Sequence, residues 1–312
     1  MMGLLLILAI VGLAQFGSGY AQDVYVTCEV RNPTSYRKSK VFTAPADTLA
    51  FKKEFSYYKE ILSIAVEESN SCIYFNYLVG KSVEKYAEPQ GEEEQAVQKV
   101  IAHTDNVDHV ESDGSGTTLY YFDDNGDAYS LDLTSTSASG QLIASTGRVC
   151  STSIVGNDMY MTTYPSEGDH VIKHLDLTPS ESGGTFQLTE ITSARKIDGL
   201  VYDDTENALF FAWNPDSESQ EICRRDLGTG IETKVYRWSS QYGYSATSID
   251  LYNGGLLFTD RRRGLYTLPK DDINAQPTAI GTGLDDCKTF HEVEVVTDVT
   301  HENPDEGEGE EI

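Results

Sequence analysis

Short apolar or alternating runs recur along this chain between polar turns, each only about four to six residues long, which is the pattern of β-strands rather than helices. Five of these runs combine an apolar residue, an aromatic or large apolar one and a small or polar end. They read Ile73-Tyr74-Phe75-Asn76, Leu119-Tyr120-Tyr121-Phe122-Asp123, Met159-Tyr160-Met161-Thr162, Leu209-Phe210-Phe211-Ala212 and Leu256-Leu257-Phe258-Thr259-Asp260. The spacing is about 40 to 50 residues, and a weaker copy, Val41-Phe42-Thr43, lies upstream.

Each core copy carries companions. About ten residues later, past a polar turn, come Ala128 to Leu133, Val171 to Leu177, Glu221 to Leu227 and Gly264 to Leu268. Ahead of three copies stand Ser63 to Val66, Asp198 to Tyr202 and Ser248 to Tyr252. Three or four short strands per repeat predict an all-β propeller, whose blades cannot bury their faces alone and must stack on neighbours. Only Asp47 to Ile61 also suits a helix. Thr48-Leu49-Ala50-Phe51 falls where the repeat places a strand, so a strand is expected there.

Composition sets the compartment. The first 21 residues carry no charged side chain, hold the apolar run Leu4 to Leu13, and place Gly19 and Ala21 before Gln22 as a cleavage site would. That reads as a secretory signal peptide over 1–21, followed by a propeller domain over 22–299 and an acidic disordered tail over 300–312. No later stretch reaches the about 20 apolar residues of a membrane-spanning helix, so a soluble extracellular protein is expected. The formal charge of -27 repels phosphate and anionic lipid, which argues against nucleic acid and membrane surfaces as partners.

The expected mature chain holds Cys28, Cys72, Cys150, Cys223 and Cys287, without Cys-x-x-Cys or zinc-ligand spacing. A propeller brings its two chain ends into one blade, so Cys28 and Cys287 are the preferred disulfide pair. The alternative is five buried thiols acting as small apolar residues.

The repeat resembles the low-density-lipoprotein-receptor class B (YWTD) repeat. Its nearest unit is Ile197-Asp198-Gly199-Leu200-Val201-Tyr202-Asp203, then Leu209-Phe210-Phe211-Ala212-Trp213, then Ile222 to Gly228, and Leu256 to Asp260 is nearly as close. The resemblance spans roughly Lys40 to Val296 and implies six four-stranded blades, with Phe290 to Val296 as the innermost strand of the blade that the N-terminal segment begins. No copy contains Tyr-Trp-Thr-Asp itself, and Thr and Asp stand together only at Thr259-Asp260. The cysteine-rich modules and membrane anchor of the receptors have no counterpart in this sequence, so the resemblance implies a binding platform rather than an endocytic receptor.

Asp123, Asp124 and Asp127 form a candidate calcium loop, since hard cations take several oxygens from a short segment. The EF-hand spacing fails, with Ala128 where Gly belongs and Thr134 where the bidentate Glu belongs, and Asn125-Gly126 between two strands is a strong hairpin signal. Arg261, Arg262 and Arg263 could grip an acidic partner or sulfated sugar, or pair with the protein's own carboxylates. Neither Gly-x-Ser-x-Gly, His-Glu-x-x-His nor a P-loop occurs.

The expectation is a secreted, non-enzymatic propeller that binds an extracellular protein or glycan through its loop face, with no cofactor beyond weakly held calcium. The polar stretch Glu84 to Gln98 is a first place to look for contacts. One alternative is an acidic extracellular-matrix component engaging calcium or mineral. Another is a calcium-dependent lactonase or esterase, whose ligands would converge in the central channel from different blades.

Overall fold

A computed structural model of the chain describes residues 22–297, except 32–36, 68–71, 88–96, 104, 136–138, 165–167, 179–185, 195, 214–218, 240–245, 261–263, 273, 286 and 288. Its strands are β1 (Gln22–Arg31), β2 (Arg37–Pro45), β3 (Lys52–Tyr57), β4 (Ile61–Glu67), β5 (Cys72–Tyr77), β6 (Ser82–Ala87), β7 (Gln98–Ala102), β8 (Val107–Ser112), β9 (Thr118–Asp123), β10 (Asp127–Asp132), β11 (Gln141–Ser145) and β12 (Arg148–Val155). They continue as β13 (Asp158–Tyr164), β14 (His170–Asp176), β15 (Gln187–Ala194), β16 (Ile197–Asp203), β17 (Ala208–Trp213), β18 (Ser219–Asp226), β19 (Glu232–Ser239), β20 (Ala246–Tyr252), β21 (Gly255–Asp260), β22 (Gly264–Leu268), β23 (Thr278–Ile280) and β24 (Thr289–Thr297).

These form six four-stranded antiparallel sheets, a six-bladed propeller. Five blades are consecutive meanders. The first has the order β24-β1-β2-β3, so the last strand is innermost beside the first, and Cys28 in β1 is disulfide-bonded to Cys287 in the connection before β24. Cys72, Cys150 and Cys223 form no disulfide.

Six clusters of buried apolar side chains lie between neighbouring blades rather than in one common core. Phe55 of blade one thus stacks on Tyr86 of blade two at 4.2 Å between ring centres. Each of the five full repeat motifs supplies the second strand of a blade, and its large buried side chains are the wedges between sheets.

Two strand assignments shift. Val41-Phe42-Thr43 lies in β2, the third strand of its blade, and β1 occupies the second-strand place. Thr48 to Phe51 is no strand of the blade: Thr48 ends a turn, Leu49 has φ 47° with its N–H donating to the Pro45 carbonyl, and Ala50 makes only an isolated parallel bridge to Thr282, so β3 begins at Lys52.

Because blades alternate up and down, connections entering the innermost strands share one end of the ring with the turns between second and third strands. This end is called the upper face below.

Candidate functional site

Every innermost strand meets its second strand with a β-bulge at the same level. Leu62, Asp108, Cys150, Asp198, Thr247 and His291 lie at the bulges, all half-buried, so they ring the upper mouth of the channel. In two blades a side chain of the second strand supports the bulge: Asn76 Oδ1 accepts the Ser63 N–H at 3.0 Å, and Thr27 Oγ1 accepts the Glu292 N–H at 3.1 Å. Several ring members reach the chain entering the next blade. Asp108 pairs with Arg148 at 2.7 Å, and His291 lies 3.8 Å from Glu60.

Below the mouth, each innermost strand has an edge with no strand beyond it. Unpaired edge N–H groups are costly when shielded from water. Here the preceding blade supplies the acceptors. Ser63 caps Val110 N–H at 2.9 Å, Ser151 caps Leu200 at 3.2 Å and Ser153 caps Tyr202 at 3.0 Å. Glu292 caps Ile64 at 2.5 Å, Glu294 caps Val66 at 3.1 Å, and Asp250 caps Val295 at 2.6 Å.

Where the preceding blade offers Ala65 or Val201, the strand's own acid serves instead. Glu111 accepts the Ser112 N–H at 3.2 Å, and Asp250 accepts that of Leu251 at 2.7 Å. At Gly199 there is no room for a side chain, since a Cβ would lie 3.0 Å from the Ile249 nitrogen.

The capping acids converge electrostatically. Burial pushes Glu111 and Asp250 up to about 7 and holds Glu292 and Glu294 well above the carboxylate range, with mutual repulsion adding to the rise in Glu111, Glu292 and Glu294. His109 is pushed down to about 4 by burial. The Thr152 hydroxyl donates to Glu111 at 2.6 Å, so the contact at 2.7 Å from His109 Nε2 to that hydroxyl is donated by the imidazole. The carboxyls are close enough to repel one another, as a channel hydrolase would require, and an oxygen of each caps a neighbouring main chain or hydroxyl, while Glu294 Oε2 has no hydrogen-bond partner among the described residues.

Among the described residues, two other groups bring metal-ligating atoms within 4.8 Å of one another: Glu29, Glu60 and His291, and His103, Asp105 and Asp123. Asp123 therefore meets His103 and Asp105 rather than its sequence neighbours. Asp124 accepts from Asn106 Nδ2 at 2.7 Å, and Asp127 accepts from Ser145 at 2.5 Å. Asp123 Oδ1 itself closes the hairpin by accepting the Asn125 and Asp127 N–H groups at 3.0 and 2.9 Å. Arg261, Arg262 and Arg263 lie outside the described residues, as do 88–96 of the polar stretch; Glu84 to Ala87 belong to β6.

The capping acids escape a local reading of the sequence. Their signal is the i, i+2 polar pair in each innermost strand, such as Ser151 and Ser153 or Glu292 and Glu294.

No family model and no curated protein matches the sequence. Among solved structures, the propeller in the crystal structure of the nidogen/laminin complex superposes with a TM-score of 0.65 at 12% identity, covering 88% of this chain and 98% of that one. TolB from Acinetobacter baumannii superposes with a TM-score of 0.55 at 14% identity, covering 87% of this chain and 67% of that one. The likeness is one of fold: a six-bladed β-propeller that matches a YWTD-type propeller in structure at low sequence identity.

Proposed function

We propose that this chain is a secreted, non-enzymatic propeller that binds an extracellular protein through its upper face. The observation that carries the reading is the bulge ring. Six sheets present half-buried side chains around one mouth, above innermost strands whose polar side chains cap the edge of the neighbouring blade. Rigid strands holding varied loops make a binding platform. The likeness to a propeller crystallised with laminin supports a protein partner. The Cys28–Cys287 bond and the leader read at 1–21 support an oxidising, extracellular location.

Affinity capture of extracellular proteins with the mature chain tests this. A partner that is retained by the native protein and lost when Asp108 and Asp198 at the mouth are replaced by Ser supports it. Absence of any saturable partner overturns it.

A second reading, a matrix component engaging calcium, draws on His103, Asp105 and Asp123. Calorimetry with calcium tests it: saturable heat abolished by Asp105→Asn supports it, and no heat at millimolar calcium removes it.

A further inference from the structure

Three large apolar side chains stand out on one sector of the upper face. Val79 is 73% exposed, Tyr58 63% and Leu78 46%. Tyr58 lies in the connection from β3 to β4, and Leu78 and Val79 form the turn from β5 to β6. The two segments are tied together, since the Leu78 N–H donates to the Glu60 carbonyl at 2.8 Å and Lys59 Nζ sits over both Tyr58 and Tyr77, at 5.2 and 3.7 Å from the ring centres. Among the described residues the other large exposed apolar ones, Leu142 and Ile231, belong to blades three and five.

The turn is held in an unusual shape. Val79 has φ 60°, a region that β-branched residues rarely adopt. Gly80 behind it leaves no space for a side chain, because a Cβ would lie 2.7 Å from the Tyr77 carbonyl oxygen. The Gly80 N–H donates to that carbonyl at 2.8 Å, and the Gly80 carbonyl accepts from Val107 at 2.8 Å. A turn so fixed, with a strained valine pointing to water, is a rigid apolar knob. Contiguous exposed apolar surface of this kind marks interaction sites.

Its charge surroundings select the occupant. The chain is strongly acidic, yet Lys38 and Lys81 are exposed and Lys59 is half-buried around this knob; Lys38 adjoins Ser39, whose N–H donates to the Lys59 carbonyl at 3.2 Å. A second copy docking face to face would set these lysines against themselves. A glycan would gain little from aliphatic Leu78 and Val79. We infer that Tyr58, Leu78 and Val79 form the docking knob for an acidic protein segment that carries an apolar anchor, with Lys38, Lys59 and Lys81 as its charged rim. This rests on the protein-binding reading above and deepens it: apolar contact at the centre supplies affinity, and the lysines set orientation and association rate.

The test selects short random displayed peptides on the immobilised mature protein. The expected winners combine Asp or Glu with Leu, Phe or Trp, and lose affinity about tenfold or more toward Leu78→Ser and Val79→Gly. Val79→Gly suits its backbone conformation, so its melting temperature should hold or rise, which separates lost contact from lost fold. Leu142→Ser and Ile231→Ser should leave binding unchanged. Winners that are basic, that ignore the knob variants, or that fail to emerge at all overturn the inference. So does self-association abolished by the same variants. If affinity capture still recovers a mouth-dependent partner, the protein-binding reading survives that failure; if capture also fails, both fall.

Discussion

Glu294 in the last strand accepts the main-chain N–H of Val66 in the second blade at 3.1 Å, across 228 residues of sequence. With Glu292 and Asp250, it makes the seam where the chain closes on itself a hydrogen-bonded one, not merely an apolar contact. The same device, a side chain of one blade capping the edge of the next, recurs at Ser63, Ser151 and Ser153.

Glu294→Ala removes the cap and leaves the Val66 N–H shielded and unpaired. Chemical denaturation should show a loss of about 1–3 kcal/mol. Glu294→Gln keeps an acceptor and removes the charge, and should be neutral or stabilising at pH 8.

The raised carboxyls make stability depend on pH in a definite direction. Glu111, Asp250, Glu292 and Glu294 bind protons more tightly folded than unfolded. Their contribution is fully present below the ordinary carboxylate pKa and is lost as pH rises, through about 7 for Glu111 and Asp250 and through the raised pKa of Glu292 and Glu294. His109 acts oppositely between its ordinary value and about 4, but it is one group against four. The melting temperature should therefore rise on acidification from pH 8 to about 5.5. Glu111→Gln with Asp250→Asn should flatten that slope.

Gly199→Ala places a methyl 3.0 Å from the Ile249 nitrogen, so the facing innermost strand must shift by a few tenths of an ångström to admit it. Thermal unfolding should show destabilisation by about 1–3 kcal/mol, as overpacking does.

Replacing Cys28 and Cys287 by Ala opens a link spanning 259 residues of sequence. Loop-closure entropy alone would give more than about 4.7 kcal/mol for so long a loop, and the loss measured in denaturant should fall in the usual range of about 2–4 kcal/mol. Cys150, whose thiol burial pushes up to about 12, should stay unreactive to thiol reagents until the protein unfolds.

The blades were legible because each second strand carries buried aromatics on a fixed level of the ring, from Phe75 to Phe258. The first blade was harder to read, since its innermost strand comes from the far end of the chain and nothing local tells Val41-Phe42-Thr43 that it sits third. Thr48 to Phe51 looks like a strand by composition, yet its pairing is a single isolated bridge from Ala50 to Thr282, which sets the Phe51 backbone against Gly283 and its ring against Gly281. The hairpin at Asn125-Gly126 was legible from turn chemistry. The channel acids were not: Glu292-Val293-Glu294 has the alternation of a half-exposed surface strand, and only ring closure brings it opposite Ile64 and Val66. Val79 was also invisible, because its exposure and positive φ arise from contacts to Glu60 and Val107 in other segments.

Amide hydrogen exchange of the whole protein, with and without a partner recovered by capture, tests most directly the claim that recognition belongs to the upper face above a self-capped channel. Added protection is predicted in segments 57–60, 77–81 and 103–106, with Ile64, Val66 and Tyr202 already slow before binding. Protection confined to the opposite turns at 113–117, 204–207 and 228–231, or channel amides that exchange at the rate of open loops, would contradict it.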